Sequence, residues 1–370
     1  MKALYLCNSP YYSGAEQETL RALIVESPSL FVLSNLPGLS QRAEEIRRIR
    51  PGHQLEIREI PRHRFGIIRE LVFVLNAVKE SRSKKTHLVV ASNLKTAAAA
   101  AAARLLGGAT WIWYVHDYYN RRGFVQRVAA KCLLGTCSGW IAVSRDVAEV
   151  TRQMVGCSEG GAIVYNYVRR SIHPPNPQLP RTRMEDAVLF VGSINPWKGL
   201  LCLVEGIGAV KALRGAAPRV DVVGHVIDTE YWASVQALAA RLGLVLRYLG
   251  PRDDVPRLMS QYDVLIHPTP APEPFGLVVA EAILAGCFVI STAQGGVREI
   301  MPPEMLECCF DPKKPSSFAE AMLAAEEARV RYGHRRNSAI SNLAAMTSEE
   351  AYSQSLRHFF EKVVPEPAMP

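Results

Sequence analysis

The sequence of 370 residues is poor in the features that mark secreted and membrane-spanning proteins. No apolar run reaches the roughly 18–20 residues that a bilayer span needs. The opening residues, MKALYLCNSPYYSG, lack the apolar stretch and the cleavage site of a signal peptide. The eight cysteines include no C-x-x-C pair, and this spacing disfavours a disulfide framework or a zinc site. We therefore expect a cytoplasmic protein with reduced thiols.

Three further motifs are missing. The turn over residues 8–20 lacks the G-x-G-x-x-G dinucleotide fingerprint, which argues against a nicotinamide enzyme. No D-x-D pair suited to a divalent cation ends a predicted strand, so we expect no metal ion. The basic residues form no single run and no nucleic-acid-binding module is present, so we expect no nucleic acid partner. The net charge of +8 favours a phosphate-bearing ligand or an anionic membrane surface.

The sequence does contain a regular alternation of short apolar runs and helix-length segments. Apolar residues make up 48% of the chain, and its length exceeds the usual size of one hydrophobic core. Continuous apolar runs of this kind are typical of parallel strands covered on both faces. They occupy residues 2–8, 29–35, 87–93, 110–115, 139–144, 162–166, 187–194, 219–225, 244–250, 263–269 and 287–292. The pattern predicts an α/β protein with two doubly wound, Rossmann-like domains.

A proline-rich segment separates the two predicted domains. Residues 169–186, RRSIHPPNPQLPRTRMED, carry four prolines, a composition that disfavours regular elements. We therefore expect a first domain over residues 1–168 and a second over residues 187–347. Residues 348–370 are predicted to form a helix that crosses back to the first domain. Doubly wound sheets bind ligands at the carboxyl ends of their strands, so we expect a ligand between the domains.

The segment APEPFGLVVAEAILAGC, residues 271–287, places two glutamates in an apolar setting. Glu281 is the one polar residue between Leu277 and Ala285, so we expect it to be buried in a helix that is apolar on all sides. A buried carboxylate is costly without a partner, and no basic residue lies within four positions of it. Either a distant part of the chain or a bound molecule must supply that partner.

The start of this helix has the features of an anion-binding site. Two prolines flank Glu273, which is expected in the loop before the helix. The backbone N–H groups of Phe275, Gly276 and Leu277 are predicted to form the helix N-terminus, which attracts anions. Gly276 permits a close approach of the backbone to a ligand. A loop carboxylate, an anion cradle and a carboxylate inside the helix complement the hydroxyl groups and diphosphate of a nucleotide sugar.

A second candidate region is FVGSINPWKGLL, residues 190–201. A predicted strand ends there and Lys198 opens the next helix, so Lys198 is expected at a carboxyl end, near Glu273. A lysine in this position can neutralise a departing diphosphate. In the first domain, the Ser13–Gly14 turn would let the backbone approach the same ligand.

Together these motifs resemble the retaining glycosyltransferases of family 4, which have the GT-B fold. The segment EPFGLVVAE matches the E-x-F-G-x-x-x-x-E signature of that family. Weaker likenesses follow in the family's order across residues 1–310: SGAE, YVHD, IAVS, VYN, VGSINPWKG and GGVREI. The resemblance implies two Rossmann-like domains facing across a cleft. The first would lie on the acceptor side and the second would bind the nucleotide sugar.

The resemblance also implies roles for individual residues. Glu281 would hold the ribose hydroxyls of the donor, and Glu273 would contact the hydroxyls of the transferred sugar. Lys198 would bind the diphosphate, and His116 would lie beside the reacting sugar carbon or its 6-hydroxyl. Lys198, Glu273 and His116 form the implied catalytic set. The other implied donor-binding residues are Gly14, Ser193, Phe275, Gly276 and Leu277.

The implied reaction moves a hexose or N-acetylhexosamine from a nucleoside diphosphate sugar, UDP favoured over GDP. The acceptor would be a hydroxyl group of a glycan, a lipid-linked glycan or a small molecule. Front-face attack would retain the anomeric configuration, with the sugar nucleotide as substrate and no cofactor. Two alternatives stay open: a sugar-nucleotide epimerase or hydrolase of the same fold, and a non-catalytic subunit that binds nucleotide sugars.

The sequence departs from the family pattern in places. Ser193 stands where the family usually has a basic residue, with Arg252 or Arg298 as candidate substitutes. Tyr167 follows Asn166 where the family prefers glycine. The missing basic residue is the reason that the non-catalytic alternative stays open.

One segment, residues 62–85, bears basic residues at both ends of an apolar stretch. Such helices can lie on anionic membranes. Packing of this helix against its own sheet is the favoured interpretation. Peripheral contact with the inner membrane surface is the alternative.

Overall fold

The computed structural model describes residues 2–8, 20, 23, 29–35, 39, 54–60, 66–156, 160–168 and 182–364. The chain divides into two compact units. Unit 1 comprises Met1–Tyr167 and Glu349–Pro370, and unit 2 comprises Val168–Ser348. The predicted Ser13–Gly14 turn and residues 169–181 of the predicted linker lie outside the described residues.

Within the described residues, unit 1 is built on a seven-stranded parallel sheet in the order β3-β2-β1-β4-β5-β6-β7. The strands are β1 (Lys2–Cys7), β2 (Ser29–Ser34), β3 (Gln54–Glu59), β4 (Leu88–Ala91), β5 (Thr110–Val115), β6 (Gly139–Ala142) and β7 (Gly161–Ile163). The central strands β4 and β6 are buried at every residue. This burial explains their continuous apolar sequences, because helices cover both faces of a parallel sheet.

In the described part of unit 1, four helices connect successive strands. They are α1 (Gly66–Ser83), α2 (Leu94–Gly107), α3 (Phe124–Leu134) and α4 (Arg145–Val155), and a 3₁₀ turn covers Tyr119–Arg121. The ends of α2 follow directly from the sequence. Asn93 and Thr96 form a reciprocal capping box at its start, and Gly108 ends it in the left-handed conformation.

Unit 2 is built on a second parallel sheet, with the order β10-β9-β8-β11-β12. Its strands are β8 (Ala187–Val191), β9 (Arg219–Val223), β10 (Leu246–Gly250), β11 (Val264–His267) and β12 (Phe288–Ser291). Its helices are α5 (Leu200–Arg214), α6 (Thr229–Arg241), α7 (Val255–Met259), α8 (Leu277–Leu284), α9 (Val297–Ile300), α10 (Pro303–Leu306) and α11 (Pro315–Met346), with a 3₁₀ turn over Pro196–Lys198. Before β8, Thr182 already pairs with Tyr262.

The last helix, α12 (Glu349–Val363), packs on unit 1. The Tyr114 hydroxyl of β5 donates a hydrogen bond of 3.3 Å to the Tyr352 hydroxyl. At Gly139 of β6, an added Cβ would lie 3.0 Å from both Phe359 and Val363. The absence of a side chain at Gly139 therefore lets α12 approach the sheet closely.

Both sheets reverse their strand order beside their first strand. In unit 2 the chain builds β8, β9 and β10 on one side and then crosses to β11 and β12 on the other. Unit 1 reverses in the same way between β1 and β4. The predicted α/β fold class with doubly wound sheets is confirmed, and such reversals place a crevice at the carboxyl ends of the two strands. Within the described ranges, no helix combines the length and the apolar character that crossing a membrane requires.

Candidate active site

The candidate site lies at the carboxyl edge of the sheet of unit 2, where the strand order reverses. β8 leads into the turn that ends with Lys198, and β11 leads into the loop that carries Glu273. Because β8 and β11 are neighbours, both loops emerge at the same edge. The structure thus brings together Lys198 and Glu273, which are 75 positions apart in the sequence.

Gly199 fixes the position of the lysine turn. Its φ of 73° is left-handed, a conformation that glycine adopts without strain. A Cβ at this residue would lie 2.1 Å from the carbonyl oxygen of Pro268, in the loop after β11. Only a glycine therefore lets the turn that carries Lys198 approach this loop so closely.

Lys198 and Glu273 form a partly buried ion pair. Nζ of Lys198 donates to both carboxylate oxygens of Glu273, at 3.0 and 3.1 Å. Their side chains are 21% and 15% exposed, respectively. The backbone of Glu273 is held as well, since its N–H donates to Gln294 and its carbonyl accepts from Gly296. The carboxylate is therefore fixed by its own backbone and by the lysine.

His267, the last residue of β11, completes this group. Its Nε2 lies 2.9 Å from Oε2 of Glu273, and its Nδ1 lies 3.1 Å from Oγ of Ser291. An ionised carboxylate only accepts hydrogen bonds, so Nε2 carries a proton and donates a hydrogen bond to Glu273. Oγ of Ser291 also accepts from the N–H of Ala293, at 3.0 Å. The imidazole is held on both sides, and it in turn orients the carboxylate of Glu273.

Thr269 extends the same network. Its hydroxyl lies 3.1 Å from Nε2 of His267 and 3.4 Å from Oε2 of Glu273. Its carbonyl accepts a hydrogen bond of 2.7 Å from the Thr292 hydroxyl. Thr269, Ser291 and Thr292 are all buried, so this part of the network is shielded from water.

These contacts determine the ionisation of Glu273. Burial alone would raise the pKa of the carboxyl group, but hydrogen bonds and positive charge from His267 and Lys198 outweigh it. They hold the pKa of Glu273 well below its usual value. Glu273 is therefore a carboxylate at any physiological pH and accepts hydrogen bonds only.

The N-terminus of α8 opens beside this group. Gly276 occupies the N-cap position with a φ of 89°, and no side chain caps the helix. An added Cβ at Gly276 would lie 2.6 Å from the Val297 side chain, so the backbone is close to α9. Phe275 is buried and Leu277 begins the helix. The first backbone N–H groups of α8 are therefore placed to donate to an anion, and anion binding there stays a prediction.

The carboxyl group of Glu281 is largely buried, as the sequence predicts, although α8 is not buried on every side. The residue lies on the partly exposed side of α8 with Leu277, Val278 and Leu284, so the expected helix buried on all sides is wrong. Within the described part of the chain, no donor is seen on its carboxylate, and burial raises its pKa to about 7. Glu281 is thus a largely buried carboxyl group, one turn inside the helix, whose charge is not compensated.

Ser193, Arg252 and Arg298 were the other side chains considered for phosphate binding. The Ser193 hydroxyl is half-buried and accepts a hydrogen bond of 2.9 Å from Nδ2 of Asn195. Arg252 forms a bidentate ion pair with Asp254, both distances being 2.7 Å. Arg298 is exposed on α9. Lys198 is thus the cation that contacts Glu273 in this group.

His116 follows β5 in unit 1. Its ring stacks on Tyr114, with centroids 4.5 Å apart and an interplanar angle of 8°. Burial lowers its pKa to about 3, so the imidazole is uncharged at neutral pH. Gly14, the other site residue predicted in unit 1, lies outside the described residues. Across the part of the chain that is described, no three His, Cys, Asp or Glu side chains cluster as metal ligands would.

Residues 185–327 match the family model described as Glycosyl transferases group 1. This segment contains Lys198, His267, Glu273 and Glu281, and it is less than half of the chain. A D-inositol 3-phosphate glycosyltransferase of Geodermatophilus obscurus is 35% identical over 153 residues, which are 38% of this chain and 33% of that protein. An uncharacterised glycosyltransferase of Methanocaldococcus jannaschii is 30% identical over 139 residues, 36% of this chain and 34% of the relative. The chain thus matches about a third of the length of these curated relatives.

Solved structures resemble the chain over almost its full length. HepE of Anabaena in complex with UDP-glucose covers 98% of this chain and 100% of its own, with a TM-score of 0.82 and 20% identity. Sucrose-phosphate synthase of Thermosynechococcus elongatus covers 98% and 99%, with a TM-score of 0.77 and 16% identity. At these identities the comparison defines the fold alone. The chain has the GT-B fold, with two Rossmann-like domains.

Proposed function

We propose that this protein is a retaining glycosyltransferase of the family 4 type that uses a nucleoside diphosphate sugar. The observation that carries the proposal is the Lys198–Glu273 pair at the strand-order reversal of unit 2, beside the uncapped start of α8. These groups offer a cation, backbone donors and carboxylates at one edge of the sheet. The match of residues 185–327 to the group 1 model supports the same assignment.

Lys198 is proposed to bind the diphosphate of the donor. Phosphate oxygens then replace Glu273 as acceptors for its Nζ, and its charge stabilises the negative charge that develops as the diphosphate departs. The free N–H groups at Gly276 and Leu277 add to this stabilisation through the helix N-terminus. Ser193 is proposed as a further donor contact, in the turn between β8 and Lys198.

The two glutamates are proposed to bind the two sugars of the donor. Glu273, oriented by His267, accepts hydrogen bonds from hydroxyl groups of the transferred sugar. Glu281 accepts hydrogen bonds from the ribose hydroxyls. A pair of ribose hydroxyls would supply the partner that its largely buried carboxylate lacks in the described structure.

The proposed reaction proceeds on one face of the transferred sugar. The bond between its anomeric carbon and the diphosphate oxygen breaks, and an acceptor hydroxyl oxygen bonds to the same carbon from the same side. The hydroxyl proton passes to the leaving phosphate oxygen, so the anomeric configuration is retained. His116 stays a proposed site residue, and its neutral ring suits a role in hydrogen bonding.

The proposed donor is a UDP-hexose or a UDP-N-acetylhexosamine. The similarity of the fold to HepE, which is described with UDP and with UDP-glucose, supports UDP as the first nucleotide to test. The proposed acceptor is a hydroxyl group of a glycan, a lipid-linked glycan or a small molecule. The donor binds without a metal ion or another cofactor in this proposal.

The proposal is tested first by thermal unfolding with UDP, GDP, ADP and dTDP, and then with the matching sugar nucleotides. A ligand at about a hundred times its Kd adds about 2.7 kcal/mol to the free energy of unfolding. We expect UDP to raise Tm clearly above the other nucleotides. The best donor is then incubated with candidate acceptors, and the anomeric configuration of the product is read by NMR.

The outcomes separate the proposal from its two alternatives. Transfer with retention supports it. Release or epimerisation of the sugar at the same rate with and without acceptor would instead identify a sugar-nucleotide hydrolase or epimerase. Folded protein whose Tm rises with a sugar nucleotide, but which neither transfers nor releases the sugar, would identify a non-catalytic subunit that binds nucleotide sugars.

A further inference from the structure

The positive charge of this protein is concentrated in one stretch of unit 1. Residues 81–145 contain ten lysines and arginines and a single acidic residue, Asp117. Their net charge of +9 exceeds the +8 of the whole chain, so the rest of the sequence is close to neutral. Such segregation points to an anionic partner for this part of unit 1.

Helices α2 and α3 lie within this stretch and α1 ends in it, and the three helices lie side by side. α1 leads into β4, α2 joins β4 to β5, and α3 lies between β5 and β6. Right-handed crossovers in one direction along a parallel sheet place their helices on the same face. In agreement, α1 contacts α2, and α2 contacts α3. We call the outward side of α1, α2 and α3 the basic helical face.

The basic helical face exposes large apolar side chains. On α3, Phe124 is 72% exposed and Val125 is 78% exposed. On α2, Leu105 and Leu106 are 84% and 63% exposed. The others on this face are Ile68, Leu71, Leu75 and Val128. All the exposed large apolar residues identified in the described part of unit 1 lie on these three helices.

Each acidic residue of α1, and Asp117 after β5, is paired with basic side chains. Glu70 of α1 pairs with Arg69 and Lys95. Glu80 is buried and pairs with Arg58. Asp117 pairs with Arg122. Because α1, α2 and α3 together contain seven basic and two acidic residues, the three helices have a net charge of +5.

Basic and apolar groups alternate closely along α3. The guanidinium group of Arg127 lies 5.8 Å from the ring centre of Phe124, and Lys131 is exposed one turn further on. Charged groups beside projecting apolar side chains suit a lipid surface, where the cations meet head groups and the apolar groups enter the acyl boundary. A nucleic acid backbone would use the charges but not the aliphatic side chains.

We propose that the basic helical face docks unit 1 onto an anionic lipid bilayer. The partner is identified by charge complementarity, since phosphate head groups match the cations and hydrocarbon matches the exposed apolar side chains. The inference is independent of the proposed glycosyl transfer. It also extends the expected membrane contact from α1 alone to a surface that includes α2 and α3.

The test is co-sedimentation of the full chain with two kinds of vesicle, phosphatidylcholine alone and phosphatidylcholine mixed with phosphatidylglycerol. We expect binding to the anionic vesicles that weakens as salt is raised. Arg127→Glu combined with Lys131→Glu should weaken it at least tenfold, because each basic residue near such a surface contributes about fivefold. Phe124→Ser combined with Val125→Ser should weaken it severalfold.

Matched controls come from exposed residues of unit 2. Arg241→Glu with Lys313→Glu makes the same change of charge, and Leu213→Ser with Val330→Ser removes apolar groups of similar exposure. Both control pairs should bind within twofold of wild type. Thermal unfolding and sedimentation velocity of every variant monitor folding and mass.

Each of the other outcomes overturns the proposal. Failure of the wild-type protein to bind anionic vesicles at low salt would do so, as would equal loss of binding in the control pairs. If Phe124→Ser with Val125→Ser changed the sedimenting mass but not vesicle binding, the face would be an interface between copies of this chain. If the charge variant lost only oligonucleotide binding, the partner would be nucleic acid.

Discussion

Glu281 is proposed to bind the donor, and its charged form destabilises the unliganded folded protein. Burial raises its pKa from 4.5 to about 7 in the folded state. The pKa of Glu281 is higher in the folded state than in the unfolded state, so the protonated carboxyl group favours folding. This contribution to the free energy of unfolding is complete below pH 4.5 and is lost as the pH rises through 7. Glu281→Gln cannot ionise, so it should raise the Tm of the unliganded protein at pH 8 and change it little at pH 5. The free-energy gain at pH 8 should be up to about 3 kcal/mol.

The same substitution should weaken UDP binding, because a hydrogen bond to a charged acceptor becomes a bond to a neutral one. We expect a tenfold to hundredfold rise in Kd by calorimetry, equivalent to about 1.5–3 kcal/mol. Glu320→Gln, at an exposed site on α11, is the matched control for both measurements. A Glu281→Gln protein that is no more stable at pH 8 than wild type would contradict the raised pKa.

His267 is predicted to act through Glu273. His267→Leu removes the Nε2 proton that holds Oε2, so we expect kcat to fall tenfold to hundredfold, the size of one hydrogen bond to a charged group. KM for the donor should change less. His267→Gln keeps an N–H donor of similar reach and should restore part of kcat. If kcat fell equally in both variants and followed their decrease in Tm, His267 would have a purely structural role.

At the residue scale, the sequence identifies groups that lie in one short motif or at a helix start. Lys198 and Glu273 were found in this way, and the structure brings them into contact. His267 was missed because a histidine that ends an apolar strand resembles many core histidines. Its position at the same carboxyl edge as Glu273 was the available signal. The burial of α8 on all sides was overestimated, because composition alone does not identify the exposed side of a helix.

At the scale of elements, the turn from β8 to α5 depends on one glycine. Gly199→Ala forces an L-residue into the left-handed region, which costs about 1–2 kcal/mol, and puts its Cβ against the Pro268 carbonyl. Gly215, at the other end of α5, also has a left-handed φ, of 75°, but no atom within 4 Å of an added Cβ. The two alanine variants therefore differ by the clash alone.

We expect Gly199→Ala to lower Tm more than Gly215→Ala and to reduce kcat at least tenfold by moving Lys198 away from the site. Gly215→Ala should leave kcat near wild type. Differential scanning calorimetry and donor turnover measure the two effects. Similar Tm and kcat for the two variants would show that the close approach at Pro268 is not required.

Most strands could be located from the sequence because buried parallel strands are apolar throughout. β3 was missed, since Gln54–Glu59 contains only two large apolar residues and its side chains alternate in exposure. Among the described strands it occupies an edge of the sheet and pairs with β2 alone. The helix α11 was missed as well. It buries mainly small alanines against its neighbours, so its sequence lacks a clear stripe of large apolar residues.

At the scale of the whole molecule, two sheets with the same kind of strand-order reversal carry different surfaces. Unit 2 has the ion pair, the histidine network and the open helix start on which the proposed donor site rests. Unit 1 carries nearly all of the net positive charge, and α1, α2 and α3 together have a net charge of +5. Composition revealed the net charge, but the position of these basic residues on one helical face depends on the crossovers of the sheet, which a local sequence pattern does not specify.

The central claim is that Lys198 stabilises a departing nucleoside diphosphate. It is tested most directly by the rate of UDP release from the preferred sugar donor, with acceptor present, in wild type and Lys198→Ala. The account predicts a loss of about 2.7–4 kcal/mol of transition-state stabilisation, a hundredfold to thousandfold fall in kcat, with Tm little changed. An unchanged kcat in a folded Lys198→Ala protein would contradict it.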